Sequence, residues 1–347
     1  MLILIRFLSS FLVASLSSSI SLGQGTAFKY FKGIYTQVGP SKEVSNMPKV
    51  KAQGPYDICT AYSTQYIIQH NICKQLNISP CSNATPEQEV SPINLSAFAN
   101  PNSKDLERGP LTHHTNLNLI NDGLSGFYIL YSSNVMFSLR PESCFPSDVF
   151  NNLVGNNRDL AEDFVAWLNS FYQENRDKTE CKDCLTKINN SLKANRTETQ
   201  ITRALAMKSF PEFLYAIIFP EGCGKFIRPP KKPSVEFFPE KMKPATADDL
   251  AKVIERVLSS DRPVQIDGVC TGGFIENQCK GGHALVISGY KTICPSGNNG
   301  VCRKLYKIQN TWGQEWQDQN NDGWMDAEHL LKNVKTPYTT GVLSWLE

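Results

Sequence analysis

The 347-residue chain lacks an excess of charge of either sign. Its 35 lysines and arginines stand against 33 aspartates and glutamates, a formal net charge of +2. Such a weak field attracts neither nucleic acid nor an anionic membrane, and no nucleic-acid partner is expected. The chain also lacks an apolar run of the roughly 18 to 20 residues needed to cross a bilayer. Its most apolar stretch lies at the N-terminus and is interrupted by serines, so no membrane span is expected. No internal repeat is visible. At 41% hydrophobic and 20% charged, the composition is that of an ordinary globular protein and excludes a collagen, a disordered tail and a coiled coil.

The apolar N-terminal stretch has the layout of an export signal. Arg6 precedes an apolar centre through Phe7, Leu8, Phe11, Leu12, Val13, Ala14 and Leu16, and small residues follow to Gly23. Residues 1–23 therefore read as a signal peptide. No cysteine stands at the cleavage point to accept a lipid. A soluble, secreted product is expected, extracellular or, in a Gram-negative host, periplasmic. The five N-x-[ST] sequons at Asn77, Asn83, Asn94, Asn189 and Asn195 lie in polar stretches that read as surface loops.

Eleven cysteines in an exported chain imply disulfides, and an odd count leaves one thiol over. Close spacing suggests Cys73 with Cys81, Cys270 with Cys279, and Cys294 with Cys302. Cys144, Cys181, Cys184 and Cys223 permit three pairings, with a lean to Cys181–Cys184. No second C-x-x-C or H-x-x-x-H accompanies Cys181-Lys182-Asp183-Cys184 to complete a tetrahedral zinc site, so no metal is expected. The adjacent His113 and His114 in a polar stretch read as exposed. Elimination leaves Cys59 unpaired.

Residues 24–52 are polar and broken by Gly39-Pro40 and Met47-Pro48, which reads as an extended arm laid on the domain. After Cys59, apolar residues recur at three- and four-residue steps through Ala61, Tyr62, Tyr66, Ile67 and Ile72, predicting a largely buried helix with Cys59 in its first turn. A second helix is predicted at Leu160, Phe164, Trp167, Leu168 and Phe171, with one apolar face. A third has Thr246 as cap, Asp248 and Asp249 in its first turn, and Leu250, Val253, Ile254, Val257 and Leu258 facing inward. Short strand-like runs follow at Val264-Gln265-Ile266, Ala284-Leu285-Val286-Ile287, Leu305-Tyr306-Lys307-Ile308 and Val342-Leu343-Ser344-Trp345. Helices early and strands late predict an α+β fold of two lobes meeting in a cleft. Arg228-Pro229-Pro230-Lys231-Lys232-Pro233 reads as a solvated stiff connector.

A thiol at a helix N-terminus is favoured as thiolate by the free N–H groups and the helix dipole, and further by a nearby imidazolium. Cys59 has that place. Of the five histidines, His283 alone sits in a glycine-flanked strand entry, Gly281-Gly282-His283-Ala284. His70 and His329 fall in helix-like contexts that need no function. Asn310, after a strand in Gln309-Asn310-Thr311-Trp312-Gly313, is placed to hold the imidazole in register. The three form a nucleophile–base–orienter set.

These residues resemble the papain-like cysteine peptidases in four ordered blocks. The first is Gln53-Gly54-Pro55-Tyr56-Asp57-Ile58-Cys59-Thr60-Ala61-Tyr62-Ser63. The second, weaker, is Ser125-Gly126 with Pro141-Glu142-Ser143-Cys144-Phe145-Pro146. The third is Pro263-Val264-Gln265-Ile266 leading to Gly282-His283-Ala284 and Gly289-Tyr290. The fourth is Tyr306-Lys307-Ile308-Gln309-Asn310-Thr311-Trp312-Gly313-Gln314-Glu315-Trp316, then Asn321-Asp322-Gly323-Trp324-Met325. The resemblance implies a papain-like two-lobe fold over residues 53–347, a helical lobe and an antiparallel β-barrel-like lobe. It implies Cys59 as nucleophile, His283 as base and acid, Asn310 as orienter, Gln53 as oxyanion donor, and Trp312 as a cover over the His283–Asn310 contact. Ser125, Gly126 and Gly282 would line the substrate cleft. The implied reaction is hydrolysis of peptide bonds in a peptide or protein substrate by a monomer without a cofactor. Two other readings use the same fold, a silent binding module and an amidase or acyl-transferase acting through the same thioester.

The chain departs from the family pattern. Tyr56 stands where a disulfide cysteine is usual and Thr60 follows the nucleophile in place of tryptophan, so the signature C-G-[SA]-C-[WY] is not matched. The loop before Cys59 then needs another tether. His283 and Asn310 lie about 75 to 100 residues farther from Cys59 than the family spacing, predicting a helical insertion over about 147–238, with a smaller one stapled by Cys294 and Cys302. Residues 24–52 are too short for the family's inhibitory helical propeptide.

Overall fold

In the computed structural model the described residues are 33–98, 126–136, 139–155, 157–176, 178, 181–240, 245–270, 274–275, 278–279, 282–297, 300–334 and 342–347. The expected signal peptide, Ser125, Gly281, His113 and His114 lie outside them.

The strand-like runs of the C-terminal third form an antiparallel sheet. Its strands are β1 (Tyr35–Glu43), β2 (Val235–Phe238), β3 (Val264–Cys270), β6 (Gly282–Pro295), β7 (Arg303–Gln309), β8 (Trp324–Asp326) and β9 (Leu343–Leu346), in the order β2-β9-β3-β6-β7-β8 with β1 also on β6. A separate hairpin joins β4 (Phe274–Ile275) to β5 (Gln278–Cys279). The 14-residue β6 is the spine. One of its edges is shared, the N-terminal half taken by β3 and the C-terminal half by β1, while β7 pairs along the other. The predicted extended arm thus contributes a strand to the sheet. β2 does the same inside the span expected to be a helical insertion, pairing with β9 from Val235↔Leu346 to Phe238↔Leu343. The end strands β2 and β8 are not paired to each other, so the sheet expected to be barrel-like is open among the described residues.

The helices are α1 (Cys59–Leu76), α2 (Pro92–Ser96), α3 (Gly126–Met136), α4 (Ser147–Asn152), α5 (Arg158–Asn175), α6 (Lys182–Leu192), α7 (Glu198–Leu205), α8 (Phe210–Ile218), α9 (Ala247–Ser259), α10 (Gln314–Gln319) and α11 (Ala327–Lys332). They divide between two cores. Tyr62, Tyr66, Ile67 and Ile72 of α1 share one core with Ile93, Ile129, Phe150, Leu168, Phe213 and Ile217. The other joins the inward side chains of the sheet, Val264, Ile266, Leu285, Ile287 and Ile308, to Leu250, Ile254, Val257 and Leu258 of α9. The α+β organisation in two lobes is therefore as expected. Helix α1 is buried from Thr60 to His70 without interruption, because it is packed by other elements around most of its circumference.

Local sequence set several of these elements. Thr246 caps α9 in a reciprocal box with Asp249, satisfying N–H groups that a helix start leaves open. Asn157 caps α5 by accepting from Leu160 N at 3.1 Å. The buried stripe of α5 is Ala161, Leu168, Phe171 and Tyr172. Leu160 and Trp167, expected on the inner face, are exposed, since periodicity locates an apolar stripe but not which edge of it meets the neighbouring helix. The connector at 228–233 keeps Arg228, Pro230, Lys231 and Lys232 exposed, as expected, and is tied to the domain at two points. Gln75 at the end of α1 exchanges two hydrogen bonds with the Lys231 backbone, at 3.0 and 2.7 Å, and Pro229 is buried.

Disulfides join Cys73 to Cys81, Cys144 to Cys223, Cys181 to Cys184 and Cys294 to Cys302. Cys270 is also disulfide-bonded, and the side chain of Cys279, its expected partner, is outside the described set. Cys144–Cys223 ties the chain before α4 to the chain after α8. Cys59 is free. No helix among the described residues is long and apolar enough to cross a membrane. One sequon is corrected: Asn94 is buried at 1% exposure, with its Nδ2 donating to the Tyr215 hydroxyl, so it is not a surface acceptor. Asn77, Asn83 and Asn195 are exposed.

Candidate active site

Cys59 is the first residue of α1, and Ile58 before it supplies no side-chain cap. The first-turn N–H groups therefore face outward without a competing side-chain acceptor at the cap. The Cys59 residue keeps partial exposure, while its sulfur is packed beside the Ala284 backbone and the Thr60 side chain. Ala284 follows His283 in β6, so the thiol from the helical lobe meets the sheet lobe one residue from the imidazole.

His283 is buried at 5% exposure. Its Nε2 lies 2.7 Å from Asn310 Oδ1. The same oxygen accepts the Thr311 backbone N–H at 2.7 Å, which identifies it as the amide oxygen, because an amide NH2 could not accept that bond. Nε2 is therefore the protonated nitrogen, and Nδ1 carries the lone pair. The Trp312 ring stacks on the imidazole, with centroids 4.6 Å apart at 28°, and Trp316 meets Trp312 edge-on. The expected cover by Trp312 is thus a ring contact on His283. Asn310 Nδ2 is buried and without a hydrogen-bond partner.

Gln53 is brought to the same place. Its backbone N–H donates to Thr311 O at 2.8 Å, and its side-chain oxygen accepts from the Thr311 hydroxyl. Its Nε2 donates to Tyr56 O at 2.9 Å, leaving the second amide hydrogen for another acceptor. Thr311 thus links the Gln53 segment to the Asn310 loop, a role the sequence reading did not assign.

The proposed cleft residues differ from one another. Gly282 is exposed, with open space where a Cβ would stand. Gly126, at the start of α3, is buried, and its N–H donates to Asp267 Oδ2 at 2.5 Å. A Cβ at Gly126 would fall 1.9 Å from Gln265 Nε2, so glycine is what lets α3 approach β3. Gln265 Nε2 donates to Asp267 Oδ1 at 2.9 Å, and Gln265 Oε1 accepts from Thr64 Oγ1 of α1 at 2.9 Å. Gln265 and Asp267 were not singled out from the sequence. Their signal was available, two polar residues at i and i+2 on one face of a strand whose other face is Val264 and Ile266.

Burial sets the resting protonation states. It pushes the Cys59 thiol up, opposed by hydrogen bonds from the Ala284 and Thr60 backbones and the Thr60 side chain, and reinforced by Asp267. Burial pushes His283 down to about 4, against the partial support of Asn310. It also raises Asp267 to about 7, although its bonds to Gly126 and Gln265 favour the carboxylate. Burial thus acts against the thiolate that the helix start favours and against an imidazolium on His283. Among the described residues no cluster of acidic, histidine or cysteine side chains could hold a metal ion.

No protein-family model matches the chain, and no curated protein matches it. Among the solved structures similar to it at a distance are the following three. A recombinant stem bromelain precursor is 11% identical, over 94% of this chain and 76% of that one, with a TM-score of 0.39. The bromelain protease from Ananas comosus is 11% identical over 89% and 99%, TM-score 0.40. The SERA5 proenzyme from Plasmodium falciparum is 13% identical over 86% and 62%, TM-score 0.41.

Proposed function

We propose that the protein is a secreted cysteine peptidase of the papain-like type, hydrolysing peptide bonds through a Cys59 thioester. The observation that carries this reading is the oriented imidazole: His283 held through Nε2–H by Asn310 Oδ1 at 2.7 Å, one residue from the backbone that contacts the free thiol.

In this reading His283 Nδ1 takes the Cys59 proton as Sγ attacks the substrate carbonyl, and the carbonyl electrons move onto oxygen. The Cys59 backbone N–H and the uncommitted Gln53 amide hydrogen donate to that oxyanion. As the tetrahedral centre collapses, the C–N bond breaks and His283 returns the proton to the leaving amine. Water, deprotonated by His283, then adds to the thioester and releases the acid and the thiol. Because the proton moves to Nδ1 as Sγ attacks, the step needs no preformed ion pair. The burial that opposes a thiolate at Cys59 also suits a silent binding module with this fold, and that is the second reading. The disulfides of Cys73, Cys144, Cys181, Cys294 and Cys270 suit an oxidising compartment and support secretion.

Stoichiometric reaction with an epoxide-type thiol inhibitor, read by intact mass and peptide mapping beside a Cys59→Ala control, tests the assignment together with turnover of a fluorogenic peptide library. One adduct on Cys59 and peptide turnover abolished in Cys59→Ala are expected. A labelled protein that turns over no peptide but transfers acyl groups to amines would make it an acyl-transferase. A protein that takes no label and cleaves nothing would make it a binding module.

A further inference from the structure

The loop from Gln53 to Ile58 carries the oxyanion donor and delivers Cys59, yet Tyr56 stands where the family's bridging cysteine is usual. On one side this loop is held from α4 and the first turn of α5. Asn151 Nδ2 donates to Ala52 O at 2.6 Å, immediately before Gln53. A Cβ at Gly54, whose φ is +67°, would fall 2.6 Å from Asn151 Oδ1, so the loop is pressed onto Asn151. The Tyr56 ring stacks on Phe150, with centroids 4.4 Å apart at 22°, both rings being buried. The Arg158 guanidinium donates from Nη1 to Asp57 Oδ1 at 2.8 Å, with Nη2 at ion-pair distance from Oδ2, 2.6 Å, while its Nε donates to Glu162 Oε1 at 2.9 Å.

One of these contacts is worth little as a stabiliser. Arg158 is half exposed, and surface ion pairs contribute little to folding free energy. A charge-assisted hydrogen bond from a guanidinium nevertheless constrains where the carboxylate stands, here two residues from Cys59. On the opposite side the loop is held by Gln53 N to Thr311 O at 2.8 Å. The nucleophile loop is thus gripped between the Asn310–Trp312 turn and α4–α5.

We propose that Asn151, Phe150 and Arg158 are positioning residues, and that α4 with the start of α5 is a noncovalent clamp standing in for the absent disulfide. The inference rests on the reading of Cys59 as nucleophile. Misplacing a reacting group by about 1 Å can cost on the order of 10²-fold, so the clamp acts on the chemical step rather than on substrate affinity.

Arg158→Ala and Asn151→Ala test it, each read by kcat, KM, thermal midpoint and the rate of Cys59 alkylation by iodoacetamide. The expected result is a fall in kcat of about 10-fold or more with KM nearly unchanged, a parallel change in alkylation rate, and for Arg158→Ala a midpoint near wild type. The exchange Asp57→Arg with Arg158→Asp should recover a substantial part of the loss. Arg203→Ala, which breaks the exposed Arg203–Glu221 pair in the same segment, should behave as wild type. Wild-type kcat and alkylation in Arg158→Ala and Asn151→Ala would overturn the clamp, as would an exchange variant no better than its parents. If Asn151→Ala does not fold, Arg158→Ala and the exchange decide. If the wild-type protein cleaves no peptide, alkylation alone carries the test: unchanged rates overturn the clamp, and altered rates restored by the exchange uphold it while the peptidase reading falls.

Discussion

His283 Nε2 and Asn310 Oδ1 stand 2.7 Å apart, and the Thr311 N–H donating to the same oxygen at 2.7 Å decides which imidazole nitrogen bears the proton. One backbone amide thereby sets the tautomer of a buried histidine. Its consequence is a lone pair on Nδ1, the nitrogen a base needs.

Replacing Asn310 by alanine removes the acceptor that holds this tautomer. The expected outcome is a fall in kcat of about 10²-fold or more with the fold retained, checked by steady-state kinetics beside circular dichroism. Wild-type kcat in that variant would remove Asn310 from the mechanism.

Thr311→Val keeps the side-chain shape and deletes the hydroxyl that donates to Gln53 Oε1. The buried amide oxygen is left without that donor, a cost of about 1 to 3 kcal/mol. Urea unfolding should show a lower midpoint at an unchanged slope. Turnover should also fall, because the Gln53 amide loses one of its two side-chain anchors.

The resting thiol is pushed up by burial and His283 down to about 4. Above pH 5 the imidazole is then neutral, and no imidazolium holds the thiolate. Alkylation of Cys59 in the free protein should keep rising with pH through the ordinary thiol range near 8.5. A plateau already reached near pH 5 would show a preformed thiolate–imidazolium pair instead.

Asp267 and His283 load stability with opposite signs. Asp267 is raised to about 7, so the folded protein holds a proton that the unfolded chain releases near pH 4. Its contribution is full below pH 4 and is lost as pH rises to about 7. His283 is lowered to about 4, so its contribution is full above about 6.5 and is lost as pH falls toward 4. Asp267→Asn should therefore gain stability relative to wild type as pH rises from 4 to 7, read as the difference in denaturation midpoints. A difference that does not vary with pH would remove Asp267 as the titrating group.

Much of the site was legible because its parts are local. Cys59 opening a helix and Asn310 following a strand are patterns of a few residues, and α1 and β7 begin and end where those patterns place them. Thr311, Gln265 and Asp267 were less legible, because their importance lies in partners far along the chain: Gln53, Thr64 and Gly126. The inner face of α5 was misjudged at Leu160 and Trp167 for the same reason, since a helix alone does not specify which neighbour covers its stripe.

The sequence by itself determined the local elements and the chemical types: the periodicity of α1 and α9, the Thr246 cap, the short-range disulfides, and the odd cysteine left as a thiol. Only the tertiary structure decided that the arm and residues 235–238 enter the sheet, that Cys144 meets Cys223, and that α4 and α5 grip the loop before Cys59. It also set the burial that opposes charge at the site. Helix position and residue type favour a thiolate, but burial removes water from sulfur and imidazole together, and desolvation is a property of the packed surroundings that no local pattern encodes.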